Sequence, residues 1–542
     1  MKKQKHLIFS GVLILTLSNI LVKAIGLLFK IPLQNLLGDE GMGYFNAAYS
    51  LYVWFYTLAT AGLPVAVSIL VSEDRAKGAG NVRRIFRTTM LLLCGIGLFC
   101  SSVLLLGASA FANLIDSPAT EAAIRVIAPT VFCACLAGGV RGYFQGCGNM
   151  RPTAASQVIE ALGKLILGIV FAQYALRMAY ALPLVAAYAI SGITVGSAGS
   201  ALFLLIRKLL FDQTPLPAAQ TERQSRRSVV HALCARAIPI TISASVMSLT
   251  NLIDVMLVIR RLRATGLTED AAQAIYGNYT TLAVPLFNLA PVLVYPIAYA
   301  MLPMLSEAVA KGDLARQKTL RDTALRTASI LMMPCAIGLS VMARPVLLLL
   351  FSAPSAQAAA PLLSILALSM LFVGMLAITN TCLQAYHKER LPIYSMLTGA
   401  AVKLILSAVL IGIPSVGIYG SPLGTFACYL VIICLNFFFL YRTVGSLPSL
   451  YTLFFKPLFA ACVCAFTARG AHLLLTAWLP SAPATLLALA LAAGIYFLVL
   501  LSIGGVTPEE IRMLPKGEQV LHGCKKLGFF SEKNKQIQME EL

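Results

Sequence analysis

LVSEDRAKG (residues 70–78) returns as MLSEAVAKG (residues 304–312), and this repeat indicates how the whole chain is organised. Five of the nine positions are identical, at an offset of 234 residues. Lys164 and Lys403 form a second matching pair, at an offset of 239 residues. Each copy follows a long apolar segment. The repeat therefore predicts two similar bundles in one chain, which is the usual architecture of a transporter that rocks around a central site.

The composition places these bundles in a membrane. The chain has 542 residues, of which 58% are hydrophobic and 12% are charged, with a mean hydropathy of +0.82. A soluble chain carries about 25% charged residues. Apolar runs of about 20 residues, long enough to cross a bilayer as helices, recur from end to end. The strand alternation of a barrel is not seen. We predict an all-α integral membrane protein with spans at 7–29, 44–71, 88–110, 120–146, 154–176, 181–206, 230–259, 276–305, 326–350, 358–385, 392–412, 420–440, 452–475 and 483–504.

These spans make about fourteen transmembrane helices, arranged as two pseudo-symmetric six-helix lobes followed by two C-terminal helices. The predicted divisions are an N-terminal lobe (1–210), a cytoplasmic linker (211–229), a C-terminal lobe (230–445), two additional transmembrane helices (446–506) and a cytoplasmic tail (507–542).

The net charge of +20 follows the loops of this arrangement. Basic loops alternate with loops that are poor in Lys and Arg, such as LIDSPATE (114–121) and FSAPSAQ (351–357). The positive-inside rule then places the basic loops and both termini in the cytoplasm. The charge is thus explained by topology and by contact with membrane lipids, and we expect no nucleic acid partner.

Sequence motifs give no support to an enzyme. The thirteen cysteines include no CxxC pair and no zinc ligand set, so we predict neither a metal site nor a cofactor. No Walker loop, HExxH or GxSxG motif occurs in the sequence. Transport would then be driven by a gradient, by the membrane potential or by removal of the product.

Lysines in the first span are candidate substrate-binding residues. Lys23 and Lys30 are seven residues apart and share one helical face, with Asn19 one turn before Lys23. A charge at bilayer depth costs roughly 2.5–3.5 kcal/mol on the mildest scale, so it faces a partner or water. Two cations on one face suit an anionic ligand. The alternative is that Lys30 extends to the interface and binds nothing.

Two later spans carry further candidates for substrate binding. Glu160 and Lys164 are four residues apart, the spacing of an intrahelical ion pair, so they form either a binding site or a neutralised structural pair. Lys403 is the counterpart of Lys164 in the second half, but Gly399 stands where a carboxylate partner would be. This asymmetry makes Lys403 a candidate for holding a negative ligand.

The seventh span and the residues after it supply the remaining polar candidates. Asn251 and Asp254 are candidates for binding a coupling ion, or they form hydrogen bonds between helices. Arg260 and Arg261 fall on the outer side of the predicted topology, against the positive-inside pattern. Because guanidinium groups suit phosphate, they are substrate-binding candidates; the alternative is a solvated loop.

Gating candidates come from the proline-bearing spans that lead to the repeated motif. Pro64 and Pro296 lie inside predicted spans, where a proline removes a backbone donor and kinks a helix. Glu73 and Glu307 lie at the cytoplasmic ends of the same spans, inside the repeat. We expect these four residues to act in opening and closing rather than in binding.

Several stretches carry a resemblance to a known family: KIPLQNLLGDEGMGYFNAAY (30–49), AGLP (61–64), RGYFQG (141–146) with QVIEALGK (157–164), and PMLSEAVAKGD (303–313). They resemble the stage V sporulation protein B group of polysaccharide-lipid exporters. That group is similar to the MurJ-type lipid II flippases of the multidrug/oligosaccharidyl-lipid/polysaccharide exporter superfamily. The resemblance implies fourteen helices, alternating access, a cationic central cavity lined by basic residues of the first helix, and lipid-linked sugar substrates.

The resulting functional prediction is a flippase of the bacterial plasma membrane for an undecaprenyl-pyrophosphate-linked glycan, either a lipid II-like peptidoglycan precursor or another polysaccharide precursor. Its partners would be this substrate, membrane lipids, and Na⁺ or H⁺ as a coupling ion. The alternatives are a cation-coupled multidrug exporter of the same superfamily and a membrane-bound glycosyl- or acyltransferase.

Overall fold

The structure is a computed structural model that describes residues 2–77, 81–210, 225–449 and 451–506. Within these ranges the regular elements are helical and no strand occurs. Residues 211–224 of the predicted linker and the predicted tail (507–542) lie outside the described residues. The α-helices are α1 (Lys2–Thr60), α2 (Leu63–Lys77), α3 (Val82–Leu106), α4 (Ala108–Leu114), α5 (Glu121–Gly146), α6 (Arg151–Arg177), α7 (Leu182–Leu210), α8 (Arg226–Ala264), α9 (Glu269–Asn278), α10 (Val284–Phe287), α11 (Tyr295–Ala310), α12 (Leu314–Val341), α13 (Ala343–Leu348), α14 (Ala353–Leu368), α15 (Met370–Ala385), α16 (Arg390–Ile411), α17 (Gly420–Val444), α18 (Lys456–Leu475) and α19 (Ser481–Ser502).

The helices confirm an all-α, multi-pass membrane protein. In the described part of the chain, eleven helical segments are long and apolar enough to cross a bilayer. One of them, Leu21–Arg75, takes in the predicted span 44–71 and the end of the span 7–29. The predicted spans 230–259 and 276–305 are not among the eleven, so a count of fourteen stays a prediction.

The predicted span 276–305 is broken into short pieces. A π-helical turn (Tyr279–Ala283) follows α9, and α10, a 3₁₀ turn (Ala290–Leu293) and α11 come after it. Each of the last three pieces has a proline in its first turn. Proline cannot donate its backbone nitrogen and is best tolerated where a helix starts, so a series of prolines restarts the helix instead of bending it.

The same reasoning corrects the placement of the two gate prolines. Helix α1 ends at Thr60 and α2 begins at Leu63, so Pro64 lies in the first turn of α2. Pro296 lies in the first turn of α11. Both prolines therefore begin helices, whereas we had predicted kinks in helix interiors.

One compact unit comprises Met1–Thr281 and Ser407–Ile418. Its first helix bends at Gly38, where φ is +65°, a conformation that favours glycine. Helices α6 and α7 pack backbone to backbone, because a Cβ on Gly192 would lie 2.2 Å from the nitrogen of Gly168. Small residues permit this approach in membrane helices, where tight packing replaces the hydrophobic effect as the driving force.

The second compact unit comprises Leu282–Leu406 and Tyr419–Leu542. Its α12 is tied to the last two helices and the turn before them: Tyr496 in α19 donates a hydrogen bond to Ile330 O (2.8 Å), and Ser329 donates one to Leu453 O (2.5 Å). The unit boundary falls after α9, whereas the predicted lobes follow the sequence repeat. The lobes therefore remain a prediction about repeat symmetry.

Candidate functional site

The side chain of Lys30 forms a hydrogen bond with a π-helical turn. The Lys30 side chain is half-buried, and its Nζ donates a hydrogen bond to the backbone oxygen of Thr280 at 3.0 Å. Thr280 belongs to the π-helical turn after α9. Thr280 and Lys30 both lie in the first compact unit. Wider turns of this kind are frequent at functional sites. The turn thus fixes an ammonium group in an apolar setting.

Lys164 contacts Phe29, the residue that precedes Lys30. Its Nζ is 5.0 Å from the ring centroid of Phe29 and 4.8 Å from that of Tyr49. Such cation–π contacts are worth about 0.5–2 kcal/mol each, depending on desolvation. Lys30 and Lys164 are close enough for their charges to repel each other. The structure therefore brings together two predicted cations from α1 and α6.

Glu160 pairs with Arg141 rather than with Lys164. Arg141 Nη2 lies 2.8 Å from Glu160 Oε2, and the same guanidinium group donates to Ser156 Oγ and Ser200 Oγ, each at 2.9 Å. The intrahelical Glu160–Lys164 pair is thus replaced by a pair between α5 and α6. The planar guanidinium group of Arg141 donates to three acceptors at once, because its donors form a rigid fork.

The remaining first-span candidates differ in exposure from Lys30. Asn19 and Lys23 are exposed, although Lys23 shares its helical face with the half-buried Lys30. Their part in substrate binding stays a prediction.

Lys403 is buried in the second compact unit, with 8% of its surface exposed. One turn earlier, a Cβ on Gly399 would lie 2.3 Å from Ile432 Cγ1, so α16 packs tightly on α17 at this point. The absence of a side chain at position 399 thus serves helix packing. Whether Lys403 binds substrate stays a prediction.

The two ion-coupling candidates do not share an environment. Asp254 is 7% exposed, whereas Asn251, three residues earlier on α8, is exposed. Of the two, Asp254 has the burial that a coupling group requires.

Arg260 and Arg261 are exposed at the end of α8 and line a cavity of about 490 Å³. The next arginine behaves differently, because Arg263 Nη1 contacts both the carboxylate and the backbone oxygen of Asp116 at 2.7 Å. The loop 114–121 therefore forms an ion pair with Arg263.

The two gate glutamates have different partners. Glu73 forms an ion pair of 3.0 Å with Arg236 on α8, whereas Glu307 bonds to Lys311 within its own motif. The hydrogen bond and charge of Lys311 hold the pKa of Glu307 below its usual value. Pro64 packs against α5, since a Cβ on Gly142 would lie 2.4 Å from the Pro64 oxygen.

Comparison with known proteins identifies the family. Residues 8–309 match the family described as polysaccharide biosynthesis protein, and this range is more than half of the 542 residues. The chain belongs to that family.

Three curated proteins of Bacillus subtilis (strain 168) resemble the chain along most of its length. It is 26% identical over 543 residues to the membrane protein YabM, covering 95% of this chain and 96% of that protein. It is 25% identical to stage V sporulation protein B, covering 78% and 81% of the two chains. It is 23% identical to the lipid II flippase MurJ, covering 80% and 82%. The predicted resemblance is confirmed.

Solved structures of transporters share the fold of this family member. The inward closed conformation of the lipid II flippase MurJ superposes with a TM-score of 0.69 at 13% identity, covering 90% of this chain and 98% of that one. An inward-facing multidrug resistance MATE transporter of the MOP superfamily gives 0.66 at 14% identity, covering 78% and 94%. The chain thus has the fold of these transporters and is a multi-pass membrane protein. The MurJ relative and these structural neighbours are named as a flippase and as transporters, not as enzymes, in line with the prediction that this chain is not an enzyme.

Sequence reasoning missed the groups that surround the two cations of this family member. Phe29, Tyr49 and Thr280 are not among the candidates of the sequence analysis, and neither is Arg141, the partner of Glu160. Phe29 adjoins Lys30, and Tyr49 ends the same quoted motif, so their proximity in sequence was the available signal. Thr280 is 250 residues from Lys30, and no local pattern reveals such a contact.

Proposed function

We propose that this protein is a flippase that moves an undecaprenyl-pyrophosphate-linked glycan across the bacterial plasma membrane by alternating access. The observation that carries the proposal is the Lys30–Lys164 pair. Both side chains are half-buried in a membrane-spanning unit, and their charges repel each other. Among the described residues, no carboxylate forms an ion pair with either ammonium group. Two neighbouring cations without a counterion favour a ligand that carries more than one negative charge.

A pyrophosphate matches this arrangement better than a neutral drug. Its charge and the attached sugars cannot enter hydrocarbon unaided, because their desolvation is too costly. Each ammonium group offers three donors to phosphate oxygens. One donor of Lys30 is already bonded to Thr280, and this bond fixes the position of the Lys30 ammonium group. The cation–π contacts of Lys164 can be exchanged for a stronger ionic contact. The polyprenyl chain would stay in lipid throughout.

The other predicted residues complete the proposal. Asn19 and Lys23 would receive the headgroup at the exposed part of the first helix, and Lys403 would supply a cation from the second unit. Movement would involve the helix starts at Pro64 and Pro296, with the ion pairs of Glu73 and Glu307 exchanged between states. The proposed orientation has both termini in the cytoplasm, as the positive-inside rule requires.

The proposal is tested by reconstituting the purified protein in vesicles that contain a fluorescent polyprenyl-pyrophosphate disaccharide. A membrane-impermeant quencher then reports how quickly the label changes leaflet. We expect flipping by the wild type, its loss in Lys30→Ala and Lys164→Ala, and its retention in Lys30→Arg, which keeps the charge. Lys388→Ala is the matched control, because Lys388 is an exposed loop lysine. Wild-type rates equal to those of empty vesicles, in correctly folded preparations, would refute the proposal.

Complementation of cells depleted of their lipid II flippase identifies the glycan. Rescue by wild type at normal membrane abundance, lost in Lys30→Ala, would indicate a peptidoglycan precursor. Flipping in vesicles without rescue in cells would indicate another lipid-linked polysaccharide precursor.

A cation-coupled multidrug exporter is the second candidate, and the burial of Asp254 is the observation that favours it. Such an exporter needs an ionisable carboxylate away from water, which would bind Na⁺ or H⁺ in one state and release it in the other. Asp254→Asn would then abolish gradient-driven transport. If this variant transports at the wild-type rate, Asp254 is not the coupling group.

A further inference from the structure

A lined cavity on α8 is not used by the proposed flippase site. Its lining residues from α8 are spaced at intervals of three and four, so they form one helical face. The first two turns of this face are apolar and the next is cationic. The face consists of Ile253, Met256, Leu257, Arg260, Arg261 and Ala264, and Leu114 at the end of α4 completes the wall.

The two arginines at the charged end of the cavity remain available to a ligand. Within the described ranges, neither Arg260 nor Arg261 forms a hydrogen bond or an ion pair with the protein. Asp116, an acidic residue of the loop 114–121, forms an ion pair with Arg263 at 2.7 Å. An exposed guanidinium pair beside an apolar wall has the charge pattern that complements a phosphate attached to a hydrocarbon chain.

We propose that this cavity binds one anionic phospholipid. Its phosphate would lie between Arg260 and Arg261, and the first part of an acyl chain would follow Ile253 and Leu257 toward Leu114. A volume of about 490 Å³ is within the range of ligand pockets and leaves room for a phosphate and the first part of an acyl chain. Phospholipid is far more abundant in the membrane than the transported substrate, and we therefore take it as the better match to this cavity. The lipid would tie the end of α4 to α8.

The proposal predicts selective labelling of the cavity by an anionic lipid. The full-length protein is placed in nanodiscs that contain either phosphatidylglycerol or phosphatidylcholine, each with a photoreactive group on its acyl chain. After irradiation, labelled peptides are mapped by mass spectrometry. We expect labelling of the peptides that contain Leu114 or Leu257, and several-fold more with phosphatidylglycerol than with phosphatidylcholine.

A matched pair of double variants tests the role of the arginines. R260A/R261A removes the cationic end of the face, whereas R226A/R227A removes two exposed arginines from the other end of α8. Each basic residue near a charged membrane contributes about 1 kcal/mol, so losing two should lower the labelling by anionic lipid roughly 10- to 30-fold. The control double variant should leave cavity labelling unchanged.

Three outcomes would overturn the proposal. The first is equal labelling by the two lipids, and the second is full labelling in R260A/R261A. The third is loss of labelling when an equimolar amount of polyprenyl pyrophosphate is present during irradiation, which would assign the cavity to the substrate. Because labelling does not require transport, failure of the flippase assay would not decide this experiment.

Discussion

Replacing Glu160 should destabilise the protein through Arg141 and not through Lys164. Arg141 is the more buried member of the pair, with 14% of its side chain exposed against 28% for Glu160. Glu160→Gln would leave the guanidinium group with two serine hydroxyls and no counterion. A charge left uncompensated in a buried setting destabilises more than the loss of an exposed pair does.

The expected magnitude follows from the burial of the pair. Breaking a fully buried ion pair costs 3–5 kcal/mol, whereas an exposed pair contributes about 0.2–1 kcal/mol. The half-buried Arg141–Glu160 pair lies between these limits, so we expect a coupling free energy of about 2 kcal/mol. An intrahelical pair at a spacing of four, such as Glu160 with Lys164, would contribute only about 0.3–0.5 kcal/mol.

Two double-mutant cycles separate the two pairings. One combines Glu160→Gln with Arg141→Met, and the other combines Glu160→Gln with Lys164→Met. The free energy of unfolding is measured for each variant by titrating a denaturing detergent into mixed micelles. The cycle isolates the pairwise contribution because each single change removes the same interaction. Stronger coupling of Glu160 to Lys164 than to Arg141 would refute the assigned pairing.

Two further predictions concern helix packing and a surface ion pair. Gly192→Ala should lower the free energy of unfolding by about 1–3 kcal/mol, because its Cβ would lie 2.2 Å from Gly168 N and two backbones must move apart. Gly199→Ala in the same helix meets nothing within 4 Å and should cost nothing; equal effects would contradict the packing argument. Lys311→Ala should raise the pKa of Glu307 toward its usual value in an NMR titration. Because the wild-type pKa is lowered, the pair stabilises the protein above the unfolded-state pKa, and this is lost as pH falls through the folded-state pKa. An unchanged pKa in Lys311→Ala would show that Lys311 is not the cause.

Hydropathy was sufficient to predict the class of fold, because a membrane helix must satisfy its own backbone and therefore needs a long apolar segment. The same signal could not place the breaks. Between residues 276 and 305 the apolar character is continuous, yet Pro285, Pro291 and Pro296 each start a new helical piece. Proline content predicted irregularity there, but not whether the helix would bend or restart.

The site shows a similar division between local and distant information. Spacing selected Lys30 and Lys164 as candidates, and the structure places Lys164 Nζ 5.0 Å from the ring of Phe29, the residue next to Lys30. Spacing misassigned the partner of Glu160, because an interval of four places Lys164 within reach but says nothing about the competing guanidinium group on α5. Arg141 is 19 residues from Glu160 along the chain and 2.8 Å away in space. The packing of α5 on α6 determines whether Glu160 pairs with Arg141 or with Lys164.

The repeat itself is a guide to architecture and a poor guide to roles. The motif places Glu73 and Glu307 at equivalent positions, yet Glu73 bonds to another helix and Glu307 to its own. The matching lysines diverge in the same way. Lys164 rests against two aromatic rings in the first unit, while Lys403 is 8% exposed in the second.

This divergence bears on the proposed mechanism. A cation held by aromatic rings can leave them for a phosphate, since each cation–π contact is worth only about 0.5–2 kcal/mol and an ionic contact replaces it. A cation buried in helix packing must disturb its surroundings to do the same. In the proposed mechanism, the matching lysines would therefore differ in how readily they bind the headgroup. Lys30 and Lys164 would make the first contact with the pyrophosphate, and Lys403 would contribute only after its own surroundings have rearranged.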